Sequence, residues 1–190
     1  MGAHDDLIRS FAEGKIEAME QLIELYKHDV YNLCYRLTFD THAADELFQD
    51  TWLHAVKSAG HYKEKSFQNW LYTICLNRYR DIRRREKRRG GFLAESFATS
   101  EDKEYAISLI ASSENVEETA EERYTRALLL SRIEHLSEKL KLPVKLYYFS
   151  NQNYAQIASV LRIPEGTVKS RLNAAKAQLR NMMEREHANV

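Results

Sequence analysis

The chain has 190 residues with 28 basic and 28 acidic side chains, a formal net charge of zero, and 44% hydrophobic residues punctuated by only 6 glycines and 2 prolines. So few turn formers exclude a many-stranded sheet, and no apolar run approaches the roughly 20 residues of a membrane span, so the composition fits a helical protein with one core or two small ones. Two cysteines far apart in sequence, Cys34 and Cys75, and no secretory leader place the chain in a reducing cytoplasm.

Residues 1–60 carry 5 basic and 11 acidic side chains, a balance of −6. Within them Leu22, Ile23, Tyr26, Val30, Leu33 and Leu37 recur at steps of three and four, which predicts a helix from about Ile16 to Leu37. "TFDTHAAD" interrupts that period, and Thr41 is the expected N-cap of a second helix reaching about Ser58. On this helix Glu46, Gln49, Asp50 and Leu53 share one face, so an apolar residue stands among acids. Either a protein-binding seam or a solvated acidic surface fits that pattern, and a DNA duplex would be repelled by it.

The charge then reverses, with 10 basic and 3 acidic residues over 61–91, or +7. A third helix from about Ser66 places Phe67, Trp70, Leu71, Ile74, Arg78 and Ile82 on one side. Asn69, Thr73, Asn77, Arg80, Arg84 and Lys87 lie on the other, amides toward one end and cations toward the other, as suits bases and then phosphates. Just before it, "HYKEKSFQNW" sets Lys63 and Lys65 among aromatics. Phe67 and Trp70 fit a stacking platform for single-stranded bases or a core, aromatic stripes more often packing inward.

Residues 92–123 swing back to −7, and the period dissolves into a Gly-, Ser- and acid-rich stretch read as a flexible acidic linker. A second helical unit starts near Thr119. In it Asn153 caps a short helix, "YAQIASVL", and Pro164 opens another, "PEGTVKSRLNAAKAQLR", which makes a helix-turn-helix candidate. The second helix turns Val168, Leu172, Ala175 and Leu179 inward and presents Lys169, Ser170, Asn173, Lys176 and Arg180 outward, with +4 over 162–180. Gly166 and Thr167 let its N-terminus approach a phosphate. Taken alone, this helix fits an amphipathic surface element equally well.

"ADELFQDTWLHA", "FQNWLYTICLNRYRDIRRR" and "IPEGTVKSRLNAAKAQLR", in that order with a linker between the second and third, resemble the sigma factors of bacterial RNA polymerase. The chain is most similar to the short extracytoplasmic-function group. That resemblance implies an all-α fold of two small helical domains: region 2 at 1–90, a linker at 91–118, and region 4 with its helix-turn-helix at 119–190. It also implies that Asp45, Glu46, Gln49, Asp50 and Leu53 bind the clamp of the largest catalytic subunit of core RNA polymerase. Lys63, Lys65, Phe67, Asn77, Arg80, Arg83 and Arg84 then serve the promoter −10 element. Gly166, Thr167, Lys169, Ser170, Arg171, Asn173 and Lys176 serve the −35 element, Arg171 lying nearer the apolar edge, where a phosphate or intradomain role suits it. Two positions depart from the family pattern: Ala174, where a basic residue is frequent, and Ser137, where a proline is. The implied partners are core polymerase, including its beta flap, promoter DNA and an anti-sigma factor.

A stand-alone helix-turn-helix regulator is the rival reading, and it leaves the acidic seam and the third helix without a purpose. An enzyme has little to stand on. No glycine-rich phosphate loop is present, seven histidines are scattered, and the two cysteines lack metal-ligand spacing, so no catalytic residue, metal, cofactor or small-molecule substrate is expected.

Overall fold

The computed structural model describes residues 3–63, 66–88, 119–150 and 152–187. Lys65 and the expected linker, 91–118, lie outside them. The helices fall into two compact units, each built on its own core.

The first unit holds α1 (Ala3–Ala12), α2 (Ile16–Thr38), α3 (Thr41–Ser58) and α4 (Phe67–Arg88), with a 3-10 turn at Ala59–His61. The sequence reading missed α1, because ten residues with only Ile8 and Phe11 buried carry too short a period to register. Helix α2 buries Leu22, Val30, Leu33, Cys34, Tyr35 and Leu37, and packs against α3, α4 and α1. It ends at Phe39, whose left-handed backbone (φ 51°) is costly for a residue with a Cβ. The Phe39 ring is buried edge-on to Tyr35, which offsets that cost. Helix α3 is capped by Asp40, one residue earlier than expected: Asp40 is extended and its carboxylate accepts the Ala43 N–H at 2.7 Å.

Helix α4 differs most from the expected pattern. Its buried residues are Phe67, Leu71, Tyr72, Cys75, Leu76 and Tyr79, while Ile74, Arg78 and Ile82 are only half-buried. The reason is that α4 packs against both α2 and α3, so its buried arc covers about half the helix circumference rather than one narrow stripe. This packing brings Cys34 and Cys75 together, Sγ to Sγ 3.6 Å, both thiols free and buried. The hydrogen bond between them and their burial push the Cys34 thiol pKa well above its ordinary range.

The second unit comprises α5 (Ala120–His135), α6 (Glu138–Val144), a π-helical segment (Lys145–Phe149), α7 (Tyr154–Leu161) and α8 (Glu165–His187). Helices α5, α6 and α7 all pack on α8. Pro143 sits inside α6 and removes one helical hydrogen bond. Helix α7 begins with the expected Asn153 cap, completed by a reciprocal bond from the Asn153 N–H to Gln156 Oε1 at 2.9 Å. It stops at Arg162, left-handed at φ 54°, where Ile163 N–H reaches back to the Ala158 carbonyl at 3.0 Å and closes the turn before α8.

The core of this unit contains charge. Lys145 is fully buried and Lys141 nearly so, and both ammonium groups meet Glu134, at 2.6 Å and 3.0 Å. Burial alone would raise the Glu134 pKa, but the two lysines outweigh it and hold the carboxyl at about 2.

Candidate nucleic-acid interface

Three faces carry the residues singled out by sequence. On α3, Asp45, Glu46 and Gln49 are exposed, and Leu53 is 51% exposed among them. Val56, 42% exposed, extends the same face by one turn. Sequence reading missed it, although its three-residue step from Leu53 is the available signal. Asp50 does not share this face fully. Its carboxylate accepts from Arg78 Nε at 2.7 Å and lies 3.1 Å from His54 Nδ1, and Arg78 continues to Asp81 at 3.0 Å. Asp50 thus ties α3 to α4, and its side chain is only 27% exposed.

On α4, Asn77 and Arg84 are exposed, Arg80 and Arg83 half-buried. Arg80 donates to the Asn77 side-chain oxygen at 3.4 Å, which orients the amide. Arg85 and Arg88 are also exposed and enlarge the cationic end; the basic run around them was the signal. Lys63 is exposed ahead of the helix. Phe67 requires correction as a base-facing residue. It is 2% exposed, with its ring 5.4 Å from Phe11, 5.4 Å from Tyr26, 5.6 Å from Tyr62 and 5.4 Å from Trp70. The aromatic cluster that joins α1, α2 and α4 claims it as core.

On α8, Val168, Leu172 and Ala175 are buried against the rest of the unit. That leaves Gly166, Lys169, Ser170, Asn173, Lys176 and Arg180 exposed, with Thr167 and Arg171 half-buried. Pro164 precedes the first helical residue instead of occupying it, and its carbonyl accepts the Thr167 N–H at 2.9 Å. The Thr167 amide is therefore spent inside the helix start, and at Gly166 an added Cβ would meet nothing within 4 Å. Ser170 donates to the Thr167 carbonyl at 3.0 Å, so its oxygen is directed to accept. The Lys176 ammonium lies 5.9 Å from the Tyr148 ring centroid, and its interaction with that phenol raises its pKa. Among the described residues no cluster of metal-ligating side chains occurs, and no helix is long and apolar enough to cross a membrane.

Residues 22–89 match the family model Sigma-70 region 2, and residues 126–179 match Sigma-70, region 4; the two matches span 68 and 54 residues, together 122 of 190. The chain belongs to the extracytoplasmic-function sigma factors. It is 25% identical over 177 residues to the ECF RNA polymerase sigma factor SigW of Bacillus subtilis, covering 93% of this chain and 94% of the relative. It is 27% identical over 173 residues to the RNA polymerase sigma-H factor of Pseudomonas aeruginosa, covering 90% and 88%. Among solved structures, the complex of CnrH with the cytosolic domain of CnrY contains a similar fold, at TM-score 0.65 and 19% identity over 96% of this chain and 98% of the other. The α3 face and α4 lie within the region 2 match, and the exposed stripe of α8 from Gly166 to Lys176 within the region 4 match.

Proposed function

We propose that this chain is an alternative sigma factor that binds core RNA polymerase and directs promoter-specific transcription initiation. The observation that carries the reading is the ordered presence of region 2 and region 4 on two separate helical units of one chain. In region 2, the α3 face of Asp45, Glu46, Gln49, Leu53 and Val56 meets the clamp of the largest catalytic subunit; its apolar centre and acidic rim suit a protein partner. Asp50 positions that face by holding Arg78. Helix α4 serves the −10 element: Asn77 hydrogen-bonds an unstacked base, while Lys63, Lys65, Arg80, Arg83 and Arg84 meet the backbone.

In region 4, α8 enters the major groove of the −35 element. Lys169, Ser170 and Asn173 meet base edges, Gly166 and Thr167 lie at the end that approaches phosphate, and Arg171, half-buried, braces the helix or meets the backbone. The region 4 unit also docks on the beta flap. An anti-sigma factor covers these faces when transcription is off, in line with the complex of the sigma factor RpoE with the anti-sigma factor NepR from Bartonella quintana, which contains a similar fold. The reading assigns no enzymatic chemistry to the chain.

Run-off transcription on genomic fragments with purified core polymerase, with and without the chain, tests the reading. Specific transcripts and promoter footprints are expected only when both are present. A clean footprint by the chain alone, as a dimer, supports a stand-alone helix-turn-helix regulator instead.

A further inference from the structure

The reading face of α8 has a neighbour that chain order does not place there. Lys169, Asn173, Lys176 and Arg180 recur at steps of four, three and four, and all are exposed on one stripe. Lys176 sits over the ring of Tyr148, in the π-helical segment between α6 and α7, with its ammonium 5.9 Å from the ring centroid. Tyr148 is 48% exposed, unusual for so large a ring beside a packed core. Tyr147 supports it edge-on at 4.9 Å and lies 5.3 Å from Tyr154, the first residue of α7. The exposed phenol is therefore braced by a second ring.

The chemistry of this pair is specific. An ammonium can only donate, and the phenol beside it has an O–H donor of its own. A cation close to the phenol polarises that O–H and strengthens it as a donor. Side by side, the pair offers converging donors and one positive charge, which matches the oxygens of a phosphodiester. An ammonium tied to a ring has also lost the freedom that a side chain needs to search base edges. We propose that Tyr148 and Lys176 together grip one backbone phosphate of the duplex that α8 reads. Lys176 thereby sets the register of the helix, and Lys169, Ser170 and Asn173 read sequence. The inference rests on α8 being the −35 helix.

The test is a titration of holoenzyme onto promoter duplexes carrying every single-base change in the −35 element, repeated across ionic strength. Tyr148→Phe keeps the ring and its packing and removes only the hydroxyl. It is expected to weaken binding about tenfold, equally on all −35 sequences, with the salt dependence unchanged. Lys176→Gln is expected to weaken binding to all sequences alike and to reduce the slope of log affinity against log salt by about one. In the Lys176→Gln background, Tyr148→Phe should cost far less than tenfold, because the phosphate is shared. Unchanged affinity of Tyr148→Phe, or a loss confined to one base position, overturns the proposal. Asn173→Ala separates the two layers: a base-selective loss there beside a silent Tyr148→Phe rejects only the phosphate grip. If Asn173→Ala, Lys169→Ala and Tyr148→Phe are all silent, the reading of α8 itself is rejected along with it.

Discussion

The two units handle charge in opposite ways. Among the described residues, region 2 buries almost only apolar and aromatic side chains, and its least exposed ion network sits at a half-buried junction, where Asp50 on α3 holds Arg78 on α4. Region 4 places two lysines inside its core and pairs both with Glu134. A charge at a junction keeps access to water, so its pairing adds orientation more than stability. Removing the partner of a buried charge leaves a cost that nothing nearby repays. The comparison teaches that equally short ion pairs have unequal weight: in region 2 they align two surfaces, and in region 4 they offset the burial of charge.

The largest break in this contrast is Glu134→Ala, which removes the carboxylate that two buried ammonium groups share and should cost about 4 kcal/mol. Both tryptophans, Trp52 and Trp70, lie in the region 2 unit, so their fluorescence reports that unit alone while circular dichroism reports both. The denaturation midpoint by circular dichroism should fall and the fluorescence midpoint should stay. Coincident shifts would mean that the units do not unfold separately. The same carboxyl sets a pH dependence. Its folded pKa of about 2 lies below the ordinary 4.5, so its contribution is complete above about 4.5 and is lost as pH falls toward 2. Circular dichroism should show region 4 weakening across that window, and Glu134→Gln should lack that component.

Phe67→Ala comes next, at about 3 kcal/mol, because it opens a cavity inside the aromatic cluster. Here the fluorescence midpoint should move. Full stability with a specific loss of −10 strand capture would return Phe67 to the DNA-facing set.

Asp50→Asn should cost at most about 1 kcal/mol by weakening the bond to Arg78, and core affinity should fall with it. Arg78→Met tests whether that loss runs through the α3–α4 bridge: if Arg78→Met leaves core affinity intact while Asp50→Asn destroys it, Asp50 touches the polymerase directly. The smallest expected stability effect is that of Gln49→Ala, within about 0.5 kcal/mol for an exposed side chain. Core binding measured alongside it should nevertheless drop, and unchanged binding would remove Gln49 from the seam.

Much of this was legible along the chain because it is encoded locally. The α2 period from Ile16, the Asn153 cap and the alternation of acidic and basic stretches each depend on residues within a turn or two of one another. The exposed Leu53 among acids and the outward stripe of α8 followed from the same 3.6-residue repeat. What tertiary structure alone decided involves partners far apart in sequence. Cys34 meets Cys75, Asp50 meets Arg78, and Lys176 meets Tyr148, each across a gap of 28 residues or more. A single-helix projection misjudged α4 because two neighbours, not one, determine how wide its buried arc is. It likewise gave no sign that Lys141 and Lys145 turn inward, since burying a lysine depends on whether a carboxylate from another helix waits there. Periodicity settles which residues share a face; only packing settles what that face meets.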